Sequence, residues 1–270
     1  MKRMALLMAL LLPVAAQAQT FAGRASAGVD YKISKGLHVT AGEEVRSADS
    51  FSSLGSLRTT LGLTYKPVKF LKLGVGYTLI NPFKVDKELD DGTLYSGFWA
   101  PRHRFYADVR GSVDLGNFQF SLKERLQLTH NSDADMNIYQ NPRNALALKS
   151  RLGVKYKGWS AVQPYARFEV RTALNAPWGY TSGSQQTKKD GTTYFAYTPT
   201  GYTHVYNNRY RGELGLDWKI TKQHVITPYV LLDYNSSYEL DTNKTGTRLF
   251  SAGYDNSFRV SLGLGYVFNF

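Results

Sequence analysis

The last segment of the chain, residues 257–270, alternates between apolar and small or polar side chains, and no other feature constrains the fold as strongly. Side chains two residues apart share one face of a β-strand, so this strand has an apolar and a polar face. The apolar face carries Phe258, Val260, Leu262, Leu264, Tyr266, Phe268 and Phe270, and Val267 is the one apolar exception on the other face. A strand that is apolar along one entire face is typical of a barrel whose outer wall meets lipid. We therefore predict an all-β fold, an antiparallel transmembrane β-barrel.

The same alternation recurs along the chain in about 11 segments of roughly 10 residues, the length that a tilted strand needs to cross a membrane. Clear examples occupy residues 57–65, 71–79, 104–113, 146–156, 164–171 and 209–218. Beyond residue 18, no apolar stretch approaches the roughly 18 residues that a membrane helix requires. The content of 19 Tyr, 14 Phe and 24 Gly favours a barrel over a soluble periplasmic protein.

The number of strands stays open between about 10 and 12, because bacterial barrels of one chain have an even number. The first run is Ala25 to Ile33 and the second is Leu37 to Arg46. If both chain ends lie in the periplasm, counting back from Phe270 makes the second run rise from the periplasm. The first run would then have to descend from the outside, which a periplasmic N-terminus cannot easily supply. Either it is not a full wall strand, which gives about 10, or one strand has been missed, which gives about 12.

The connections between these runs alternate in length. Short turns are predicted near Lys66-Pro67, Asp114 to Asn117, Lys157-Gly158 and Thr221-Lys222. Long links are predicted over residues 81–101, 129–143, 175–207 and 235–254. Short periplasmic turns and long extracellular loops are the organisation of outer-membrane barrels, whereas structureless links of this length are uncommon in a soluble domain.

The N-terminus has the pattern of a secretory signal. Lys2 and Arg3 precede an apolar run over residues 4–14, and Ala16-Gln17-Ala18 is a small-x-small cleavage site. We therefore expect residues 1–18 to be a cleaved signal peptide, and residues 19–270 to form the barrel in the outer membrane of a Gram-negative-type bacterium. The chain contains no Cys, so disulfides, thiol catalysis and a lipid-anchored Cys are excluded.

Short motifs along the chain resemble the outer-membrane β-barrel family known as domain of unknown function 2490. They are residues 35–39, Glu44, Arg46, residues 62–65, 76–77 and 102–105, Arg151, and residues 164–169 and 209–215. The resemblance implies a barrel in the outer membrane and carries no assigned activity. The last strand also resembles the C-terminal signal by which barrel assembly machinery recognises its substrates, which Tyr266, Phe268 and Phe270 would provide.

Charged residues concentrate on the face that points away from lipid, and bases outnumber acids there. The predicted lumen-lining residues are Arg104, Asp108, Arg110, Lys123, Arg125, Arg151, Arg167, Glu169, Arg171, Arg209, Arg211, Glu213, Asp217 and Arg259. They could form a packed, mutually paired interior, or a narrow path that favours small anionic solutes. The formal charge of +12 is compatible with anionic lipid, lipopolysaccharide or anionic solutes, whereas export makes nucleic acid an improbable partner.

The predicted link over residues 175–207 is rich in aromatic residues. They are Trp178, Tyr180, Tyr194, Phe195, Tyr197, Tyr202 and Tyr206. Such side chains could stack on sugar rings or contact lipopolysaccharide, which would make the barrel a surface ligand-binding protein. The more common role of such residues is an interfacial girdle and the core of a folded loop.

An enzymatic alternative depends on His130 and Ser132. A His two residues before a Ser shares its strand face, as a base that activates a hydroxyl nucleophile must. The tract resembles the His-x-Ser region of lipid A deacylase barrels, but it lies mid-chain and no orienting acid is identified. His103 and His224 lack metal-ligand spacing. We therefore expect a non-enzymatic barrel with no metal and no cofactor.

Two acids break the alternation. Glu43 and Glu124 fall mid-strand on the face assigned to lipid, where a charge is unfavourable. A β-bulge would shift the register and turn either residue inward, and this is the preferred explanation. The alternative is a protein partner that covers this part of the wall.

Overall fold

Eleven strands form one closed barrel in the computed structural model. The structure describes residues 20–83, 87–88, 94–95, 101–131, 142–177, 180–187, 189–199, 201–242 and 249–270, so the expected signal peptide lies outside the described residues. The helical content of the described residues is one 3-10 turn, Asp49–Phe51. None of the described residues forms a helix of the length and apolarity that a membrane crossing requires.

The wall strands follow one another around the barrel in chain order. They are β1 (Thr20–Ser34), β2 (Leu37–Ser47), β3 (Leu54–Val68), β4 (Leu71–Pro82), β7 (Arg102–Leu115), β8 (Phe118–Asn131), β9 (Asn144–Tyr156), β10 (Val162–Ala176), β13 (His204–Lys219), β14 (His224–Thr242) and β15 (Leu249–Asn269). Two hairpins stand outside the wall, β5 (Lys87–Glu88) with β6 (Leu94–Tyr95), and β11 (Tyr180–Thr187) with β12 (Thr193–Pro199).

Short connections lie at one end of the barrel, here called the turn end, and the longer ones lie at the other, called the loop end. The short turn predicted near Lys66-Pro67 is present but comes later, at residues 69–70, because β3 continues to Val68. The register shifts between Tyr65 and Val68. Pro67 has no N–H to donate, and the shift accommodates it within the strand.

The long link predicted over residues 235–254 is wrong. β14 and β15 continue to pair from Ser236 with Asn256 out to Thr242 with Leu249, as a two-stranded ribbon at the loop end. β13 pairs with β14 only as far as Asn235, so the ribbon continues past its neighbour. A ribbon that has no core beneath it needs no apolar face, and hydropathy alternation therefore does not identify it.

The barrel closes through a parallel pair, and this corrects the expectation of an even, fully antiparallel wall. β1 runs parallel to β15, from Thr20 beside Arg259 to Asp30 beside Asn269. An odd number of strands joined by hairpins leaves the first and last strands pointing the same way, so only a parallel ladder can close the wall. The first run is thus a full wall strand that begins at the loop end, earlier than the predicted start at Ala25.

The outer face of the wall is apolar and exposed, as at Leu61, Phe105 and Leu262. At the turn end, aromatic rings surround the end of the closing strand. The Phe270 N–H donates to the Asp30 carbonyl over 2.9 Å, and the Phe270 ring centroid lies 4.4 Å from that of Phe268. Recognition of Tyr266, Phe268 and Phe270 by assembly machinery remains a prediction.

Glu43 and Glu124 both stay on the outer face, so the preferred bulge is wrong. Glu43 pairs with Ala27 and Thr59 in ladders that run without a break on either side. Glu124 is likewise in continuous register, and its carboxylate accepts a hydrogen bond from Ser150 Oγ over 2.6 Å. Polar pairing along the outer wall therefore takes the place of an inward turn at Glu124.

Candidate functional site: interior ion pairs and an arginine vestibule

The residues predicted to line the lumen lie on the interior face, opposite the exposed apolar side chains. Several interior contacts span more than one strand. Lys155 on β9 reaches over β10 to pair with Asp217 on β13. Arg24 on β1 reaches over β15 to Asp233 on β14. The polar faces of the strands thus meet within the barrel.

Four interior carboxylates are each held by two basic side chains. Asp108 accepts from Arg125 Nη2 at 2.6 Å and lies 3.1 Å from Lys123 Nζ. Glu169 accepts from Arg151 Nε at 2.9 Å and is also paired with Arg209. Each carboxylate can neutralise one of its two bases, so one positive charge of each group is left over.

The remaining two groups have the same composition. Asp233 accepts from Arg211 Nη2 at 2.8 Å and from Arg24 Nη2 at 3.2 Å. Its side chain is only 4% exposed, and Arg24 and Arg211 are the least exposed bases of the four groups. Glu44 pairs with Arg46 and lies 4.0 Å from Arg58 Nε. Buried carboxylates require such partners, because an unpaired charge away from water is strongly unfavourable.

Interior tyrosines also pack against arginines. Arg167 Nη1 donates to Glu213 at 2.7 Å, and its guanidinium carbon lies 3.9 Å from the centroid of the Tyr165 ring. Arg125 lies over Tyr106 in the same way, at 3.8 Å. Guanidinium groups stack favourably on aromatic faces, so these rings fix the arginines without removing their charge.

Several interior bases have no carboxylate within ion-pair distance in the part of the chain that the structure describes. They include Arg110 on β7 and Lys149 on β9. Lys149 lines a small interior space of about 60 Å³ with Lys123, Arg125, Arg151 and Glu169. Four bases therefore share that space with one acid.

A larger cavity of about 350 Å³ opens within the barrel toward the loop end. We call it the arginine vestibule, because Arg58, Arg102, Arg104 and Arg171 line it and no described Asp or Glu does. The other polar lining includes Gln127, Thr129, Asn131, Asn175, Tyr206, Asn208 and Tyr238. The vestibule thus combines guanidinium groups with amides, hydroxyls and aromatic rings.

Two of the vestibule arginines are positioned by neutral oxygens. Arg104 Nε donates to Thr129 Oγ1 over 3.0 Å, and Arg171 Nε donates to Asn208 Oδ1 over 2.6 Å. A bulge between β10 and β13 places Asn208 there, since Arg171 pairs with Arg209 while Thr172 pairs with Asn207. These contacts hold the guanidinium groups in place but leave their charges uncompensated.

Several interior residues were missed by sequence reasoning, among them Arg24, Arg46 and Arg102. Arg24 lies one position before the predicted start of the first run, at Ala25. Extending the alternation backward through Ala22 and Arg24 would have included it, because both share a face with Ser26. No sequence signal, however, identifies which carboxylate each base would meet.

The enzymatic alternative can be followed only in part. His130 lies on the outer face, as the alternation from Leu128 requires, and its Nδ1 is 2.9 Å from Asn144 Oδ1. Ser132 lies outside the described residues. Within the described ranges no group of three His, Cys, Asp or Glu side chains has the arrangement of a metal site.

The aromatic segment over residues 175–207 contains the β11–β12 hairpin. Trp178 lies outside the described residues, as do the side chains of Tyr180, Tyr194, Phe195 and Tyr197. Tyr206, which the structure does describe, accepts a hydrogen bond from the Tyr238 N–H over 2.9 Å at the rim of the vestibule. Ligand capture by this segment remains a prediction.

Comparisons with known proteins give a family and distant structural relatives. The family described as "Protein of unknown function (DUF2490)" matches residues 24–189, more than half of the chain. No curated protein matches. Among solved structures, the chain is similar to outer-membrane expressed OmpT of Vibrio cholerae, with a TM-score of 0.39 and 11% identity, covering 82% of this chain and 61% of that one. For in-vitro folded OmpT of the same organism the values are 0.36, 15%, 85% and 60%. The chain therefore spans less than two thirds of the length of these barrels.

Proposed function

The chain belongs to the DUF2490 family, and we propose that it is a non-enzymatic outer-membrane barrel whose basic interior forms a narrow path favouring small anions. In this proposal the turn end faces the periplasm and the loop end faces the cell exterior. The exposed apolar outer wall supports the location, because water would not tolerate so continuous an apolar surface.

One observation carries the anion preference: each of four interior carboxylates is shared by two bases. Pairing of this kind satisfies the acids but leaves surplus positive charge along the interior. Arg110 and Lys149 add to the surplus, since neither has a carboxylate partner among the described residues. Rings of Arg and Lys lower the barrier to an anion and raise it for a cation.

Planar-bilayer recording of the purified, refolded chain tests the proposal. Under a KCl gradient we expect a small conductance. Its reversal potential should lie closer to the equilibrium potential of chloride than to that of potassium. Lys149→Glu places an acid in the interior space that Arg125 and Arg151 also line. It should move the reversal potential toward the equilibrium potential of potassium. Lys219→Glu makes the same charge change on an exposed residue at the end of β13 and should leave it unchanged.

A correctly folded barrel that conducts no ions would contradict the proposed path. Equal shifts from Lys149→Glu and Lys219→Glu would show that surface charge, rather than the interior, sets the selectivity. The non-enzymatic part is tested separately, by comparing the acylation of lipopolysaccharide in cells that make the wild-type chain or Ser132→Ala. If lipopolysaccharide loses an acyl group in cells that make the wild-type protein, but not in cells that make Ser132→Ala, the non-enzymatic proposal is contradicted.

A further inference from the structure

We propose that the arginine vestibule binds the phosphate group of a small phosphorylated, hydroxyl-bearing solute that enters from the loop end. The inference rests on the proposed function in taking the interior as a solute path, and it deepens that proposal by naming a site and a class of ligand. Four arginines line the vestibule, and no described carboxylate does.

The electrostatics of Arg104 support the need for an anion there. Among the described residues, the four charges that act most strongly on its guanidinium belong to Arg171, Arg46, Arg125 and Arg102, and all are positive. Mutual repulsion of this kind is relieved when an anion binds between the guanidinium groups. A phosphate dianion relieves it more than a monovalent anion does, because it interacts with several guanidinium groups at once.

The way in which the arginines are fixed distinguishes the vestibule from the rest of the interior. Below it, Arg125 and Arg151 donate to carboxylates, which neutralise them. Within it, Arg104 and Arg171 use Nε to bind the neutral oxygens of Thr129 and Asn208. Arg104 and Arg171 are therefore oriented without an ion pair to a described carboxylate, and a planar guanidinium fork in this state is well suited to phosphate oxygens.

Arg58 Nε and Gln127 Oε1 are buried polar atoms of the vestibule that have no hydrogen-bond partner among the described residues. Arg58 Nε is buried and donates no hydrogen bond, since the nearest carboxylate oxygen, on Glu44, lies 4.0 Å away. Gln127 Oε1 is buried and accepts none. Buried polar groups are nearly always paired, so a ligand that offers both an acceptor and a donor is expected. A phosphate oxygen would satisfy Arg58, and a hydroxyl of the same solute would satisfy Gln127.

A free solute fits the site better than the headgroup of a membrane lipid. Most of the lining residues lie on wall strands from β3 round to β14, so the wall separates the vestibule from the surrounding membrane. Lipopolysaccharide also carries phosphate, and it shares this chemistry. The two sources are distinguished by whether a small phosphate ester alone is bound.

Calorimetric titration of the full chain folded in detergent, with glycerol 3-phosphate as the probe and acetate as the comparison, tests the site. We expect glycerol 3-phosphate to bind about tenfold more tightly than acetate, a difference of about 1.4 kcal/mol. Arg104→Gln should weaken phosphate binding by about tenfold or more. Arg110→Gln removes the same charge from the same face of β7, outside the vestibule, and should change the affinity by less than about twofold.

Folding of each variant is checked by heat-modifiable gel mobility. Arg104→Lys provides a second variant that keeps the charge but loses the fork, and it should recover part of the affinity. Equal weakening by Arg104→Gln and Arg110→Gln would overturn the site, as would the absence of binding at millimolar glycerol 3-phosphate. Binding of lipopolysaccharide without binding of glycerol 3-phosphate would overturn the free-solute source.

The site and the proposed path fail in different ways. An anion-selective conductance from a barrel that binds no glycerol 3-phosphate overturns the vestibule site and leaves the path intact. Phosphate binding by a folded barrel that conducts no ions overturns the path and leaves the site intact.

Discussion

Arg24 and Asp233 form an ion pair across an intervening strand, with Arg24 Nη2 3.2 Å from Asp233 Oδ2. The strand between them is β15, whose interior positions at this height are Ser261 and Gly263. Small residues there leave room for the Arg24 side chain to pass. Because β1 meets β15 in the one parallel ladder of the wall, this ion pair ties the closing strand to the strand beyond it.

Loss of the Asp233 charge should destabilise the barrel. Asp233→Asn leaves Arg24 and Arg211 buried without their carboxylate, and removal of one partner of a buried ion pair costs about 3–5 kcal/mol. The urea midpoint of the refolded protein in detergent should fall accordingly. Asp114→Asn is the matched control, since Asp114 pairs with Lys157 at the exposed turn end and its loss should have little effect. If the two variants lower the urea midpoint equally, the Arg24–Asp233 ion pair does not hold the junction between β1 and β15.

The parallel seam itself is open to cross-linking, because the chain contains no Cys. Ala25 lies beside Leu264 across β1 and β15, so a Cys pair at these positions should form a disulfide on mild oxidation. The control is a Cys pair at Ala25 and Phe268. Phe268 lies four residues beyond Leu264, or roughly 13 Å along the strand, so this pair should not form a disulfide. Cross-linking of both pairs is measured on non-reducing gels. Failure of the first pair to cross-link in folded protein would contradict the parallel closure.

The sequence predicts the strands of the barrel wall, but it does not predict the parallel pairing of β1 with β15 that closes the wall. Alternation predicts which residues share a face, and the last strand follows it from Phe258 to Phe270. It carries no information on strand direction, so a parallel pair between β1 and β15 could not be predicted from it. The even-number rule then led to a count of 10 or 12, although the first run from Ala25 was visible.

The sequence predicts that charged residues line the interior, but it does not predict which of them pair with each other. Interior charges such as Asp108 and Glu169 are evident from alternation, since each faces away from lipid. Their partners depend on register, and a shift of one residue in a neighbouring strand would exchange them. The vestibule depends in addition on the bulge at Asn208, which no pattern in the sequence indicates.

Interior glycines are expected to be as important as the charges. A Cβ on Gly263 would collide with the ring of Tyr229, which lies over it inside the barrel. Gly263→Ala should therefore lower the stability by about 1–3 kcal/mol, as overpacking does. Gly111→Ala is the control, because nothing lies within 4 Å of a Cβ at that position. Urea midpoints of the two variants should differ. If Tyr229→Leu combined with Gly263→Ala recovers no stability, the ring is not the cause.

The outer-face acid at Glu124 separates two explanations of this wall. If lipid surrounds it, its charge is unfavourable, and the hydrogen bond from Ser150 only partly offsets this. Glu124→Leu should then raise the stability by on the order of 1 kcal/mol. Ser150→Ala should lower it, because the carboxylate loses its donor. Glu124→Gln, which keeps an acceptor for Ser150 without the charge, should lie between the wild-type chain and Glu124→Leu.

These three variants are compared by urea midpoint in lipid vesicles and by size-exclusion chromatography in detergent. A lipid-facing wall predicts the stated order of midpoints and no change of particle size. A wall covered by a second protein predicts the reverse, since Glu124→Leu would remove a polar contact and lower both stability and particle size. The ladder around Glu124 is continuous on both sides, so neither outcome can be attributed to a change of strand register.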